Sequence, residues 1–293
     1  MSACTLPYVS VALALVSALL FSLGIQLSRS GLRHLDPRSA TLVTIGTATA
    51  LYWIASPLFV ERYFWLSPAV ALFALIGLFR PALSGNLAMA GTFYLGPTIS
   101  SALAATAPLF GVGLGVLALG EQAGPGVLLG TLAIVAGVVL LSRRGESLGA
   151  WPWWALLLPI GAALLRSLAQ ALAKLGMETL PSPFFVGLVG YSVSFLVALA
   201  YQGRRREPLA LVARSPGLKW MVAAGACYGF AILSLNFALA CGRLVVVAPI
   251  VACSPLFTML LGLLVFREHG IGIRVALAVM LIVPGVLLVT SRA

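Results

Sequence analysis

The sequence is short of charged residues. Only 9% of its 293 residues are Asp, Glu, Lys or Arg, and 61% are hydrophobic, whereas soluble domains carry about 25% charged residues. This shortage excludes a water-soluble globular protein and indicates a polytopic membrane protein. A membrane span needs roughly 20 mostly apolar residues, so the length allows about ten spans and leaves no room for a large soluble domain.

Side chains that bind metals or perform catalysis are also scarce. The chain has two histidines and four cysteines, without a Cys-x-x-Cys spacing. A membrane-embedded enzyme needs convergent His, Asp or Cys groups, but His34 and His269 are far apart in the sequence. We therefore expect a protein that is not an enzyme and has no metal and no cofactor. The cysteines are interpreted as small buried hydrophobic residues rather than a disulfide framework.

Acidic residues number only seven against 18 basic ones, which gives a net charge of +11. The basic residues are not interleaved with exposed aromatic residues, so we expect the lipid bilayer, and not nucleic acid, as the partner of this charge. All seven acidic residues lie in loops or at span ends. No carboxylate is therefore expected at the centre of the membrane.

Ten apolar segments account for most of the chain. They lie at about 8–28, 39–60, 66–92, 97–119, 125–142, 152–176, 184–202, 217–240, 244–266 and 272–291. Continuous apolar runs favour helices over the alternating strands of a membrane β-barrel. We expect an all-α, multi-pass integral membrane protein of a plasma membrane, specifically a bacterial inner membrane.

One motif occurs twice. The residues Ala-Pro-Leu-Phe at 107–110 and Ser-Pro-Leu-Phe at 254–257 each precede an apolar run that closes with a glutamate, Glu121 or Glu268. The two prolines, Pro108 and Pro255, are 147 residues apart, and so are the two glutamates. Each proline lies in the middle of an apolar segment, where we expect it to kink the helix for gating or for shape. The glutamates are expected to anchor the interface or to cap the following helix.

Two further pairs repeat in the same order. Gln26 and Gln170 are 144 residues apart, and Asn86 and Asn236 are 150 apart. The chain is therefore interpreted as two units, 1–146 and 147–293, with five helices each. Because five is odd, the copies enter the membrane in opposite directions, which gives ten transmembrane helices as two inverted five-helix repeats. This architecture is typical of secondary transporters, whose substrate sites lie where the halves meet.

On these residues the chain resembles the EamA-type branch of the drug/metabolite transporter superfamily. The resemblance rests on the five-plus-five spans, the Pro-Leu-Phe motif and the trailing glutamates, and Arg267 departs from the family's usual glycine. It implies secondary transport by alternating access. Family members export amino acids, other metabolites or toxic compounds, and relatives exchange phosphorylated sugars or nucleotide sugars. The resemblance does not identify the substrate.

Two arginines lie inside spans, Arg80 in segment three and Arg166 in segment six. An arginine at the bilayer centre costs about 2.5–3.5 kcal/mol on insertion scales, so it faces a cavity or a partner. Either the two arginines line a cavity and bind an anionic substrate, or they bond to backbone carbonyls and extend along their own helices. Polar residues one turn away support a polar face. The expected substrate-binding residues are Arg80, Arg166, Gln26, Gln170, Ser84 and Ser22.

Other polar residues have a choice of roles. Asn86, Asn236 and Tyr94 are expected either to pack helices or to reach a cavity. The leading hypothesis is an exporter or exchanger of a small, carboxylate-bearing metabolite such as an amino acid, working as a monomer or weak homo-oligomer. The alternatives are a multidrug or toxic-compound efflux transporter and a non-transporting membrane subunit. The missing mid-membrane carboxylate disfavours efflux of cationic drugs.

The orientation of the chain is left open by the sequence. Of the 18 Arg and Lys residues, twelve lie in one set of loops and four in the other. The positive-inside rule places the twelve in the cytoplasm, which makes both termini external. The family resemblance implies internal termini instead.

Overall fold

A computed structural model describes residues 7–142, 152–202, 215–264 and 273–290, and within these ranges it contains helices and turns but no strand. Short 3-10 turns lie at Arg62–Leu66 and Trp153–Leu156, and a π-helical turn at Phe79–Leu83. The α-helices are α1 (Pro7–Gly31), α2 (Pro37–Phe59), α3 (Ala69–Leu78), α4 (Ser84–Ala104), α5 (Ala107–Leu119), α6 (Pro125–Ser142), α7 (Leu157–Thr179), α8 (Pro183–Gln202), α9 (Leu218–Cys241), α10 (Leu244–Val251), α11 (Ser254–Leu264) and α12 (Ile273–Thr290).

Seven stretches of the described chain are long and apolar enough to cross a membrane. They are 8–31, 37–59, 69–88, 153–179, 183–200, 218–241 and 244–262. Three shorter apolar helices lie at 107–119, 125–140 and 277–290, below the roughly 20 residues that a span needs. An all-helical membrane protein is thereby confirmed, and its seven long spans fall on predicted segments.

The two motif prolines begin helices instead of lying in the middle of them. Pro108 is the second residue of α5, which follows a break after Ala104, and Pro255 is the second residue of α11, which follows a break after Val251. Proline has no N–H to donate, and the first turn of a helix needs none. A two-residue turn therefore interrupts each predicted span just before its proline, so the proline lies in the first turn of a helix rather than in the middle of one.

The predicted third segment is interrupted at Arg80. The backbone of Arg80, which lies between α3 and α4, is extended, with φ −136° and ψ 128°. The next helical run, α4, passes through the predicted connection at 93–96, but it is not straight. A methyl group at Gly91 would lie 3.1 Å from the Ser100 hydroxyl, whereas nine residues of straight helix rise about 13.5 Å. The helix is therefore sharply bent between these two residues.

Helices of the first half pack chiefly on helices of the second half. The most extensive contacts join α1 to α9, α6 to α12, and α4 to α7. Small residues permit the closest crossing, because a methyl group at Gly130 of α6 would lie 2.5 Å from the carbonyl oxygen of Gly285 of α12. The central helix is α10, which is buried along its whole length. The two sequence repeats are thus interleaved rather than stacked as separate cores.

Local features at the helix ends follow simple chemistry. Asp36 caps α2 by accepting hydrogen bonds from the N–H groups of Arg38 and Ser39, both at 3.0 Å. Slight burial opposes ionisation of Asp36, but hydrogen bonds from Ser39 and Arg38 hold its pKa below the ordinary value. Cys241, at the end of α9, is disulfide-bonded, which corrects the interpretation of the cysteines as simple hydrophobic residues; Cys227 and Cys253 are free thiols.

Candidate functional site

A cavity of about 650 Å³ lies between the two halves of the chain. Residues from α1 to α11 line it, and most of them are apolar. Cavities of this size, with a few polar groups in an apolar wall, are typical of small-molecule sites. Within the described chain no group of three or more His, Cys, Asp or Glu residues is placed to hold a metal ion.

Arg80 and Arg166 both line this cavity. Arg80 comes from the break between α3 and α4, and Arg166 from the middle of α7. The Arg80 guanidinium carbon lies 5.8 Å from the centre of the Phe21 ring, within the range of a cation–π contact. Both side chains therefore bring a positive charge to the same cavity. Among the described residues, neither guanidinium has an ion-pair or hydrogen-bonding partner.

The backbone break at Arg80 is held by a serine from another helix. The Ser194 hydroxyl of α8 lies 2.7 Å from the carbonyl oxygens of both Gly77 and Arg80, and it can donate to either. The extended backbone at Arg80 interrupts the helical hydrogen-bond ladder, so these carbonyls need another donor. One predicted alternative was that the arginine side chains bond to free backbone carbonyls. At this break Ser194 supplies the donor instead. The Arg80 guanidinium remains available to the cavity.

Four more of the predicted residues contribute to the cavity wall: Ser84, Gln170, Pro108 and Pro255. Gln170 lies one helical turn beyond Arg166, and its side-chain oxygen is buried without a hydrogen-bond partner. Together with Asn236, the lining thus contains seven of the predicted residues: both arginines, one serine, two amides and both motif prolines.

Asn236 combines the two roles that were considered for it. It lines the cavity, and its amide nitrogen donates to the carbonyl oxygen of Pro183 at 3.1 Å. This hydrogen bond ties α9 to the start of α8. Tyr191 and Tyr228 also line the cavity, and the Tyr228 hydroxyl lies 3.1 Å from that of Ser28.

Gln26 and Ser22 lie outside the lining, in the contact between α1 and α11. The Gln26 amide donates to the carbonyl oxygen of Thr258 at 2.8 Å and accepts from Arg29 at 3.2 Å. The Ser22 hydroxyl donates to the carbonyl oxygen of Ser254 at 2.7 Å. These bonds tie α1 to α11, and the predicted substrate contact of the two residues stays a prediction.

Asn86 and Tyr94 are likewise absent from the cavity wall. Asn86 is exposed on α4. The Tyr94 ring packs edge-on against Trp154, with 4.9 Å between the ring centres. For Tyr94 the packing role is therefore the one that the geometry supports.

Glu121 connects the two halves at one end of the cavity. Its two carboxylate oxygens accept hydrogen bonds from the N–H groups of Leu244 and Val245, at 2.8 and 2.9 Å. Lys174 of α7 lies 2.8 Å from the same carboxylate and donates to the carbonyl oxygen of Gly242. The prediction that Glu121 caps a helix is correct in kind, but the helix is α10 of the other half and not the following helix. Glu268 lies outside the described residues.

The turn after α5 aims Glu121 at this position. Gly120 adopts the left-handed conformation, with φ +65°, and the N–H of Glu121 donates to the carbonyl oxygen of Gly115 at 2.9 Å. A glycine in this conformation is a common helix terminator. In the first copy of the motif, Gly120 thus ends α5, and Glu121 reaches the N–H groups of α10.

Glycines allow α5 and α10 to approach closely. A methyl group at Gly111 would lie 2.6 Å from the Ala248 side chain, and one at Gly115 would lie 2.7 Å from the Val245 side chain. Such distances cannot accommodate even an alanine without a shift of one helix. The α5–α10 contact is therefore tightly packed.

Sequence reasoning missed Ser167, Lys174 and Ser194. Ser167 lines the cavity, and its hydroxyl donates to the carbonyl oxygen of Ala107 at 2.7 Å. Each of these residues has its partners more than 50 positions away in the chain. No local pattern could have revealed such pairs.

Comparison with known proteins agrees with this fold. The model of the EamA-like transporter family matches the chain twice, at residues 9–143 and 153–291. One solved structure, titled "Crystal structure of protein", is 19% identical with a TM-score of 0.79 over 97% of each chain, which is a likeness of fold. No curated protein sequence matches. The two family matches together cover almost the whole chain, and the protein therefore belongs to the EamA-like transporter family of the drug/metabolite transporter superfamily.

Proposed function

We propose that the protein is a secondary transporter that exports or exchanges a small carboxylate-bearing metabolite, such as an amino acid, by alternating access. One observation carries this proposal: Arg80 and Arg166 share a single cavity between the halves, and no described residue neutralises them. A guanidinium binds a carboxylate as a two-pronged fork. An anionic substrate would supply the partner that both arginines lack.

Ten transmembrane helices, in two inverted repeats divided near residue 146, form the scaffold of this proposal. Seven long spans and three shorter apolar helices make ten apolar helices in the described chain, and the family matches divide between residues 143 and 153. Membrane deformation around short helices costs only fractions of a kcal/mol per Å, so the three shorter helices can also cross. The multi-pass membrane in question would be a bacterial inner membrane.

The polar residues have distinct proposed roles. Arg80 and Arg166 bind the anionic group, with Gln170 and Ser84 as polar neighbours on the wall. Gln26 and Ser22 hold α1 to α11 and so position the broken span. The breaks before Pro108 and Pro255 allow the two broken spans to bend during transport.

The proposed gate is the α5–α10 contact, locked by Glu121 and Lys174. With the repeat offset of 147 residues, α11 corresponds to α5, and residues 97–104 correspond to α10. The symmetric counterpart of the α5–α10 contact would therefore join α11 to residues 97–104. Among the described residues this second pair makes no contact comparable to that of α5 and α10. In the proposed cycle the present conformation is closed at the Glu121 end, and the transporter reverses by opening this contact and closing the other.

The alternatives fit the cavity less well. Two unneutralised arginines repel cations, which argues against efflux of cationic drugs. An internal cavity of about 650 Å³ between the halves gives a transporter a substrate site, which a non-transporting subunit does not need.

Transport in proteoliposomes tests the proposal. The purified full-length protein would be reconstituted, and uptake of radiolabelled amino acids and small carboxylates would be measured for wild type and for the double variant Arg80→Ala/Arg166→Ala. We expect the double variant to lose uptake, while Lys219→Ala, at the start of α9 and outside the cavity lining, retains it. If the double variant still takes up carboxylates, Arg80 and Arg166 do not bind the anionic group of the substrate.

A further inference from the structure

We infer that the substrate carries two negative charges: it is a small dianion, such as a dicarboxylate or a phosphate ester. The inference rests on the proposed transport function and narrows its substrate class. It follows from the charge balance of the cavity rather than from either arginine alone.

The described cavity lining contains two arginines and no Asp, Glu, His or Lys. The described acidic residues lie elsewhere, and the most buried of them, Glu121, is already paired with Lys174. The remaining acidic residues, Glu146, Glu207 and Glu268, lie outside the described ranges. Within the described chain, the site therefore has an uncompensated charge of two.

This charge makes the empty site unfavourable. The two guanidinium groups are like charges in one cavity, and a protein interior screens the repulsion between like charges less than water does. A monoanion would neutralise one group and leave the other without a partner. A dianion neutralises both and also removes their mutual repulsion, so the site favours two negative charges in one ligand over one.

The arginines are held in place as a built site requires. Ser194 fixes the backbone at Arg80, and the Phe21 ring lies against its guanidinium. Arg166 belongs to the same helix as Ser167, whose hydroxyl donates to the carbonyl oxygen of Ala107 and so ties that helix to α5. The backbone at both arginines is therefore fixed by contacts from other helices, which reduces the reorganisation that a ligand requires.

Gln170 adds a polar contact beside Arg166. Its side-chain oxygen has no hydrogen-bond partner, although buried polar atoms are nearly always satisfied. Rotation of the amide would present either a donor or an acceptor to the cavity. A hydroxyl or amino group on the dianion would satisfy it.

The test compares ligands of equal size and different charge. Full-length protein in detergent would be titrated with succinate and with butyrate, which have four carbons each but two and one carboxylates. Ionic strength would be fixed, and thermal unfolding would report binding. We expect the apparent Kd for succinate to be about tenfold lower, because one more charge-assisted hydrogen-bonded pair is formed. Equal Kd values in the wild type would overturn the inference.

Single variants assign the second charge to the second arginine. Arg80→Ala and Arg166→Ala should each bring the succinate Kd up to that for butyrate, and Lys219→Ala should keep the tenfold preference. Arg80→Gln and Arg166→Gln retain more side-chain volume and serve if an alanine variant does not fold. A single variant of either arginine that still prefers succinate tenfold would contradict the role assigned to that arginine.

Phosphate and transport measurements complete the design. Titration with inorganic phosphate distinguishes a dicarboxylate substrate from a phosphate ester. Whichever of phosphate and succinate has the lower apparent Kd identifies the anionic group that the site prefers. In proteoliposomes, succinate or phosphate uptake that depends on both arginines supports the inference. If butyrate is transported equally well, the inference fails while the proposed transport function stands, and if no anion is transported, the proposed function fails as well.

Discussion

Arg80 shows how one residue acquires a site role from its surroundings. One alternative drawn from the sequence was that its side chain donates hydrogen bonds to the carbonyls that a helix break leaves free. Instead, the hydroxyl of Ser194 lies 2.7 Å from the carbonyl oxygens of Gly77 and Arg80, and the guanidinium faces the cavity. A neutral serine therefore satisfies the break, and the charged group is left for a ligand.

Substitution of Ser194 tests this division of labour. Ser194→Ala removes the donor for two buried carbonyls, so we expect it to lower the free energy of unfolding by about 1–3 kcal/mol and to weaken anion binding. Ser56→Ala is the matched control, because the Ser56 hydroxyl bonds only within its own exposed helix turn. Thermal unfolding in detergent, with and without succinate, measures both effects. If Ser194→Ala unfolds and binds as Ser56→Ala does, Ser194 does not support the site.

At the scale of elements, the chemistry of this fold lies at broken helices. The chain stops and restarts before Pro108 and before Pro255, and α10 begins with N–H groups that helical bonding leaves free. Glu121, in the turn after α5, satisfies two of them and pairs with Lys174 of α7. Three elements from both halves therefore converge on one carboxylate. With the repeat offset of 144 residues found for Gln26 and Gln170, the residue that corresponds to Lys174 is Ser30. The second copy of the motif therefore has no equivalent lysine.

Removal of Glu121 should loosen this end of the molecule. Glu121→Ala leaves the N–H groups of α10 and the ammonium of Lys174 unsatisfied. The Glu121 side chain is 7% exposed and that of Lys174 is 19% exposed, so the expected loss is about 2–3 kcal/mol, below the 3–5 kcal/mol of a fully buried pair. Glu178→Ala, on the exposed face of α7, is the control and should change little.

A double-mutant cycle separates the ion pair from the helix cap. We expect Glu121→Ala/Lys174→Met to cost less than the sum of the two single changes, because the pair interacts directly. Unfolding measurements and transport rates should change together if the pair locks the gate. Strict additivity would show that Glu121 acts on α10 alone.

For the whole molecule, the interleaving of the two halves is the main result. Nearly every extensive helix contact joins the first half to the second, so neither repeat has a separate core. The cavity lies where they meet, and both halves contribute an arginine to it. A substrate bound there would contact both units that are proposed to move.

The number of spans has a direct consequence for topology. Ten spans place both termini on one side of the membrane and the connection at 143–151 on the other, whereas seven spans would separate the termini. Tags at each terminus and in 143–151, probed by protease or by membrane-impermeant labels in spheroplasts, measure this. We expect the two terminal tags to share a side opposite the central tag. Termini on opposite sides would contradict the inverted repeat.

The sequence could predict the class, the repeat and the two arginines because these depend on composition and on residues compared at a fixed offset. It could not predict that Glu121 bonds to α10 or that Ser194 supports Arg80, since those contacts join residues more than 100 positions apart. It also assigned Gln26 and Gln170 the same role by symmetry. In the structure Gln170 lines the cavity, whereas Gln26 bonds to the backbone of α11, because packing around the two copies differs.

By itself, the sequence determined that this chain is a helical membrane protein of duplicated design with two unusual cations in its apolar segments. Lipid requires backbone hydrogen bonds to close within each segment, so apolar runs of this length suffice to define helices. Only the tertiary structure decided that both arginines face one cavity and that the motif prolines start helices. It also decided that a glutamate of one half caps a helix of the other. Those outcomes depend on which helices pack together, and the interleaved packing of two similar halves is not encoded in any local pattern.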